Sequence, residues 1–175
     1  MQRERCELQR LLIRPEDGIV LPAIVMRPRR PAGDVIVYLN DTGFAPAVAA
    51  RGELERWAEA GHTVFAVDLR GLGQTQGHWP LNHERFGVDG KEQRLAYLMG
   101  CSYLGMRVKD LLVVGCVARQ IGGAAASLRL EAHGDIVSVV GLHAAALERE
   151  LFTRVRLLGE IESFVRIVER PLAPD

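Results

Sequence analysis

Cysteine is scarce in this sequence, with only 3 in 175 residues. Cys6, Cys101 and Cys116 are too few for a dense disulfide framework and wrongly spaced for a Cys-rich zinc module. Long apolar runs are missing as well: none reaches the roughly 18 residues of a membrane-spanning helix. The start, Met1-Gln2-Arg3-Glu4-Arg5, is charged and no apolar leader core follows it, so a cytoplasmic location is expected. Net charge is also lacking, because 22 basic residues balance 22 acidic ones. That disfavours a general nucleic-acid binder. It also leaves little repulsion between copies, so exposed apolar surface would promote self-association. There is no internal repeat and no low-complexity tract.

What remains is the composition of one soluble globular domain, 48% hydrophobic and 25% charged, at a length that suits a single core. Residues 8–14 and 19–26 read as strands joined by the turn Pro15-Glu16-Asp17-Gly18, a hairpin signal. Residues 34–39 are almost continuously apolar and β-branched, as in a strand covered on both faces. A helix is expected from Pro46 to Gly61, carrying Val48, Leu54, Trp57 and Ala58 as its apolar stripe. A second buried strand, 63–68, completes a βαβ unit with a right-handed crossover. Residues 69–90 are irregular and rich in glycine and histidine. Helices are expected over 91–99, 105–121, 137–147 and 161–168, and strands over 127–132 and 153–158. The alternation predicts an α/β three-layer sandwich around a mostly parallel sheet, as one domain over residues 1–175.

Ligands of such sheets sit at the carboxyl ends of the strands. Three segments lie there. In the first, Asp41, Thr42 and Gly43 could present backbone N–H groups to an oxyanion, or simply form a polar loop with a needed glycine. In the second, Asp68 and Arg70 could pair and hold the loop. Gly71 and Gly73 there do not make a dinucleotide fingerprint, since the third glycine is one position late. In the third, Ala132-His133-Gly134-Asp135-Ile136 links a strand to a helix, the setting in which a G-x-S-x-G elbow exposes its serine. Gly134 occupies the nucleophile position and has no side chain with which to attack. His133, Asp135 and Ser138 are the weak catalytic candidates nearby. Ser138 reads better as a helix residue bonded to a carbonyl.

The other histidines form no ligand set. His62 reads as a surface residue, His78 and His83 are a weak metal pair, and His143 reads as structural. Cys116 reads as core and Cys101 lacks an activating partner. No cofactor and no metal is expected.

The run Trp57-Ala58-Glu59-Ala60-Gly61-His62-Thr63-Val64-Phe65-Ala66-Val67-Asp68-Leu69-Arg70-Gly71-Leu72-Gly73, with the strand Val35-Ile36-Val37-Tyr38-Leu39 before it, resembles the α/β-hydrolase superfamily. Leu104-Gly105-Met106-Arg107-Val108-Lys109-Asp110-Leu111, after Ala96-Tyr97-Leu98-Met99-Gly100, is similar to its bacterial acetyl xylan esterase-like branch, as is Gly141-Leu142-His143-Ala144-Ala145-Ala146-Leu147. The resemblance implies strand order 1-2-4-3-5-6 and an ester hydrolase with Ser, acid and His. It also implies that the last strands, with the acid and the His, are missing. Three readings follow: an esterase using other residues or a partner chain, a noncatalytic binding or assembly module, and a truncated product. The expected partner is a second copy, bound through residues 153–168, or a complementing chain. Neither nucleic acid nor membrane is expected.

Overall fold

The computed structural model describes residues 2–3, 6–48, 52–77, 89–123, 127–159 and 165. His78, His83 and all of the expected helix 161–168 except Val165 lie outside these residues. The strands are β1 (Gln2–Arg3), β2 (Cys6–Glu16), β3 (Ile19–Pro28), β4 (Val35–Asn40), β5 (Thr63–Val67), β6 (Leu128–His133) and β7 (Arg154–Leu158). The helices are α1 (Glu53–Glu59), α2 (Gly90–Leu98), α3 (Tyr103–Gly122) and α4 (Asp135–Leu147).

All seven strands form one sheet in the order β1-β2-β3-β5-β4-β6-β7. Without the two-residue β1, this is the 1-2-4-3-5-6 order implied by the resemblance. β2 and β3 make the expected antiparallel hairpin, and β3 runs antiparallel to β5. From β5 onward every pairing is parallel: β5 with β4, β4 with β6, β6 with β7. β4 is held from both sides, Val35 standing opposite Thr63 on one neighbour and Leu128 on the other.

Two apolar clusters cover the sheet. Val35, Val37 and Leu39 of β4 point into the larger one with Leu128, Leu130 and Ala132 of β6, under Leu111 and Val114 of α3 and Val140 of α4. Tyr38, Val64 and Ala66 point the other way, against Leu54, Ala58 and Trp57 of α1. Side chains alternate across a strand, so this is the three-layer sandwich that continuously apolar strands require.

Four local expectations are corrected. The helix expected from Pro46 to Gly61 is a 3-10 turn at Ala45–Val48 followed by the short α1. Gly52, extended at φ −69° and ψ 178°, starts α1 afresh. Cys116 is exposed: the buried stripe of α3 runs through Arg107, Val108, Asp110, Leu111, Val114, Gly115 and Ala118, and position 116 falls outside it. His62 is no free surface residue, because its Nδ1 accepts the Asp34 amide at 3.0 Å. Asp68 and Arg70 do not pair with each other. Arg70 forms a bidentate bridge to the buried Asp110, Nε to Oδ2 at 2.7 Å and Nη2 to Oδ1 at 2.6 Å, and also reaches Glu16. The Asp110 carboxylate, more than any other group, holds the Arg70 pKa above its ordinary value.

Asp68 instead accepts the Phe44 amide at 2.8 Å and the Gln74 amide at 3.0 Å, tying the loop after β5 to the loop after β4. A Cβ on Gly43 would lie 2.6 Å from the Gly73 Cα. Gly43 and Gly73 are therefore demanded by packing between the two loops, whereas a Cβ on Gly71 would meet the side chains of Tyr103 and Arg107 on α3. Below the loops Arg107 holds Asp89 with two hydrogen bonds and donates to the Arg70 carbonyl at 2.8 Å.

Candidate functional site

The carboxyl ends of β4 and β6 place the loop Asn40–Phe44 beside the turn from β6 into α4. Gly134 forms that turn with φ 127° and ψ 167°, in a region that side chains avoid. Its amide donates to the Leu158 carbonyl at 2.8 Å, and its carbonyl accepts the Ser138 amide at 3.1 Å.

Asp41 fills the space in front of this turn. Its Oδ2 accepts the Ile136 amide at 3.1 Å and its Oδ1 the Val137 amide at 2.8 Å. These are orphan donors of the first turn of α4, and a carboxylate there is also favoured by the helix dipole. Burial nevertheless pushes the Asp41 carboxyl above its ordinary pKa; the Val137 and Ile136 amides oppose the shift and the nearby Asp135 charge adds to it. A Cβ on Gly134 would overlap Asp41 Cγ and Oδ2, and would lie 2.8 Å from Asp41 Cβ. The volume into which a side chain at 134 would project is taken by the Asp41 carboxylate.

The amides of the loop after β4 are committed as well. Asp41 donates to the His133 carbonyl at 3.2 Å and Gly43 to the Asn40 carbonyl at 2.9 Å. Thr42 donates to Asn40 Oδ1 at 2.9 Å, and Phe44 to Asp68 as above. Four consecutive N–H groups, 41 to 44, thus already have acceptors within the chain.

The remaining candidates diverge. The Ser138 hydroxyl is buried and turned back toward the Ala132 carbonyl at 3.5 Å. Asp135 lies on the β7 side of the turn, where its Oδ1 would stand 2.8 Å from a Cβ on Gly159. His133 points to the α1 face, with its ring edge-on to Tyr38 at 5.0 Å. Its Nε2 lies 3.6 Å from Oε2 of Glu131, and its Nδ1 3.9 Å from Glu53. His143 is tied to its own helix, its Nδ1–H donating to the Val139 carbonyl at 2.8 Å.

Glu131 is the group that the sequence reading missed. It is fully buried in mid-strand. Its Oε1 is held by Arg129 Nε at 2.5 Å, while Oε2 makes no hydrogen bond and lies 3.8 Å from Arg156. The signal was the alternation of β6, where Arg129, Glu131 and His133 occupy one face and Leu128, Leu130 and Ala132 the other. Among the described residues no three His, Cys, Asp or Glu side chains form a group that could hold a metal ion. No described helix is long and apolar enough to cross a membrane.

No protein-family profile and no curated protein matches the chain. Solved structures do. An esterase from an Arctic intertidal metagenomic library superposes with TM-score 0.62 at 13% identity, over 90% of this chain and 62% of that one. Dienelactone hydrolase from Anabaena variabilis gives TM-score 0.60 at 15% identity, over 87% of this chain and 62% of that one. A Bacteroides fragilis protein assigned as an acetyl xylan esterase gives 0.58 at 17%, over 80% and 42%.

The chain has the α/β-hydrolase fold.

It spans less than two thirds of the length of each of these three structures. Within that fold Gly134 occupies the turn between β6 and α4.

Proposed function

We propose that this chain is a noncatalytic module on a hydrolase fold, serving binding or assembly. One observation carries the reading: the Asp41 carboxylate occupies the volume in front of Gly134 and takes the amides of Ile136 and Val137. Ester hydrolysis by this fold needs a nucleophile at the turn and free N–H donors for the developing oxyanion. Here the turn residue has no side chain. The amides that would serve are bonded to Asp41, Asn40, His133 and Asp68. The test is hydrolysis of p-nitrophenyl acetate by the purified chain, by G134S and by D41A/G134S, with the background rate expected for all three. Turnover by the unmodified chain that a serine-reactive phosphonate abolishes, with the labelled serine mapped by mass spectrometry, would refute the module.

A second reading is a carboxylic ester hydrolase, acetyl xylan esterase-like, completed by a partner chain or by further sequence. Its support is the fold shared with structures named as esterases and hydrolases, of which this chain spans only part. Turnover that arises only on adding a second polypeptide would favour it.

A further inference from the structure

β7 is the last strand of the sheet, and among the described residues nothing pairs with its outer edge. Four of its five residues, Arg154, Val155, Arg156 and Leu158, are exposed. The Leu158 carbonyl is turned inward, where it accepts the Gly134 amide. In a strand, alternate residues direct their N–H and C=O to opposite edges. Arg154 and Arg156 therefore bond toward β6 with Leu158, and Val155 and Leu157 turn their backbone groups to the open edge.

The side chains of β7 differ on its two faces. Leu157 packs at Gly141 beneath α4, where a Cβ on that glycine would stand 3.0 Å from its Cδ2. Val155 shares this apolar face and is 39% exposed. On the opposite face stand Arg154 and Arg156, in register with Arg129 and Glu131 of β6. β6 and β7 thus place three arginines and one glutamate on that face. The glutamate is already held by Arg129, and Arg156 approaches it only to 3.8 Å. Arg154 has no ion pair among the described residues.

We infer that this edge accepts an extended segment of another polypeptide whose residues alternate between acidic and apolar. Its backbone would pair with Val155 and Leu157. Its carboxylates would face Arg154 and Arg156, and its apolar side chains would extend the strip begun by Val155. Of the two occupants expected from the sequence, the charge pattern favours the complementing chain. A two-fold antiparallel pairing of β7 with itself keeps both arginines on one face. Centred on Val155 it sets Arg154 opposite Arg156 twice, and centred on Arg156 it sets that residue opposite its copy. Centred on Leu157 the overlap within the strand shrinks to residues 156–158. Like charges directly opposed destabilise a sheet, and charged edge residues are a standard guard against self-pairing.

The test is backbone amide exchange by NMR on the full chain, with two heptapeptides as probes: Glu and Val in alternation, or Lys and Val. Without peptide, the Val155 and Leu157 amides should exchange at least about tenfold faster than those of Arg154 and Arg156, as open-edge groups do. The glutamate peptide should slow both outward amides, and the lysine peptide should not. R154E should weaken the glutamate peptide about tenfold, since an attraction becomes a repulsion. Arg154 is exposed and without an ion pair among the described residues, so this variant should keep the fold, checked by its amide spectrum. R156E should act in the same direction. Equal protection by both peptides, or none by the glutamate peptide, would overturn the inference. So would protection that rises with chain concentration alone, which marks a second copy. The same protection by inorganic polyphosphate would mark general anion binding and also overturn it.

Discussion

The Val137 amide donates to Asp41 Oδ1 at 2.8 Å, joining residues 96 positions apart in the chain. This bond and its neighbour from Ile136 make Asp41 the cap of α4, although it lies on the loop after β4. A cap residue precedes its helix in sequence in the usual case; here it comes from another strand. D41A should therefore cost about 1–2 kcal/mol of stability, the scale of a lost cap. Urea denaturation followed by circular dichroism measures it, and a change near zero would remove Asp41 from this role.

The raised pKa of Asp41 sets a pH dependence. Its folded-state value lies above the unfolded one, so its contribution is fully present below the unfolded pKa and is lost as pH rises through the folded value. The thermal midpoint of the wild type relative to D41N should accordingly fall as pH rises from the ordinary carboxylate range toward neutrality. A difference between the two proteins that stays flat over pH 3–7, or widens in favour of the wild type, would contradict the buried setting of this carboxyl.

Gly134 and Asp41 should be coupled in a double-mutant cycle. G134A brings backbone strain at φ 127° and a clash with the Asp41 carboxylate, together about 2–4 kcal/mol. The overlap with Asp41 Cγ and Oδ2 disappears in D41A/G134A, while the 2.8 Å approach to the Cβ of residue 41 and the backbone strain remain. The double variant should lose less than the sum of the singles, and simple additivity would show that the two residues do not share the space.

Arg70 and Asp110 are buried and joined by two hydrogen bonds. Removing Asp110 takes both of these hydrogen bonds from Arg70 and leaves Glu16, at 2.7 Å, as its remaining counter-charge. D110A should cost about 3 kcal/mol, the scale of lost hydrogen bonds to a charged group, read as a lowered urea midpoint. A loss below about 1 kcal/mol, the worth of an exposed pair, would mean that water reaches the site.

Thiol reactivity separates the cysteines. Cys101 and Cys116 are exposed and Cys6 is buried. In native buffer, Ellman's reagent should titrate two thiols quickly and the third only in denaturant. One fast thiol would return Cys116 to the core.

The strands were legible because a strand covered on both faces is nearly all apolar, and Val35–Leu39 and Thr63–Val67 could be little else. Their order came from the resemblance, since apolar runs alone carry no neighbour information. The charged partners were not legible. Asp68 and Arg70, two positions apart, suggest a pair, yet one caps backbone amides and the other crosses to Asp110, 40 positions on. Asp41 was singled out as a candidate for donating its N–H. Its carboxylate proved to be the acceptor, because a contact with residue 137 has no local signature. Cys116 was placed in the core because α3 is apolar on most sides, whereas only a stripe of it touches the sheet.

The position of β4 has a consequence for synthesis. Val35 pairs with Thr63 on one side and with Leu128 on the other. The second partner leaves the ribosome 93 residues later. At about 5–20 residues per second that is roughly 5–20 seconds. Throughout this interval an apolar strand, later among the best covered in the molecule, has one side bare. Chaperone dependence and inclusion-body formation should therefore respond to the rate of translation between codons 41 and 133 more than to the stability of the finished protein.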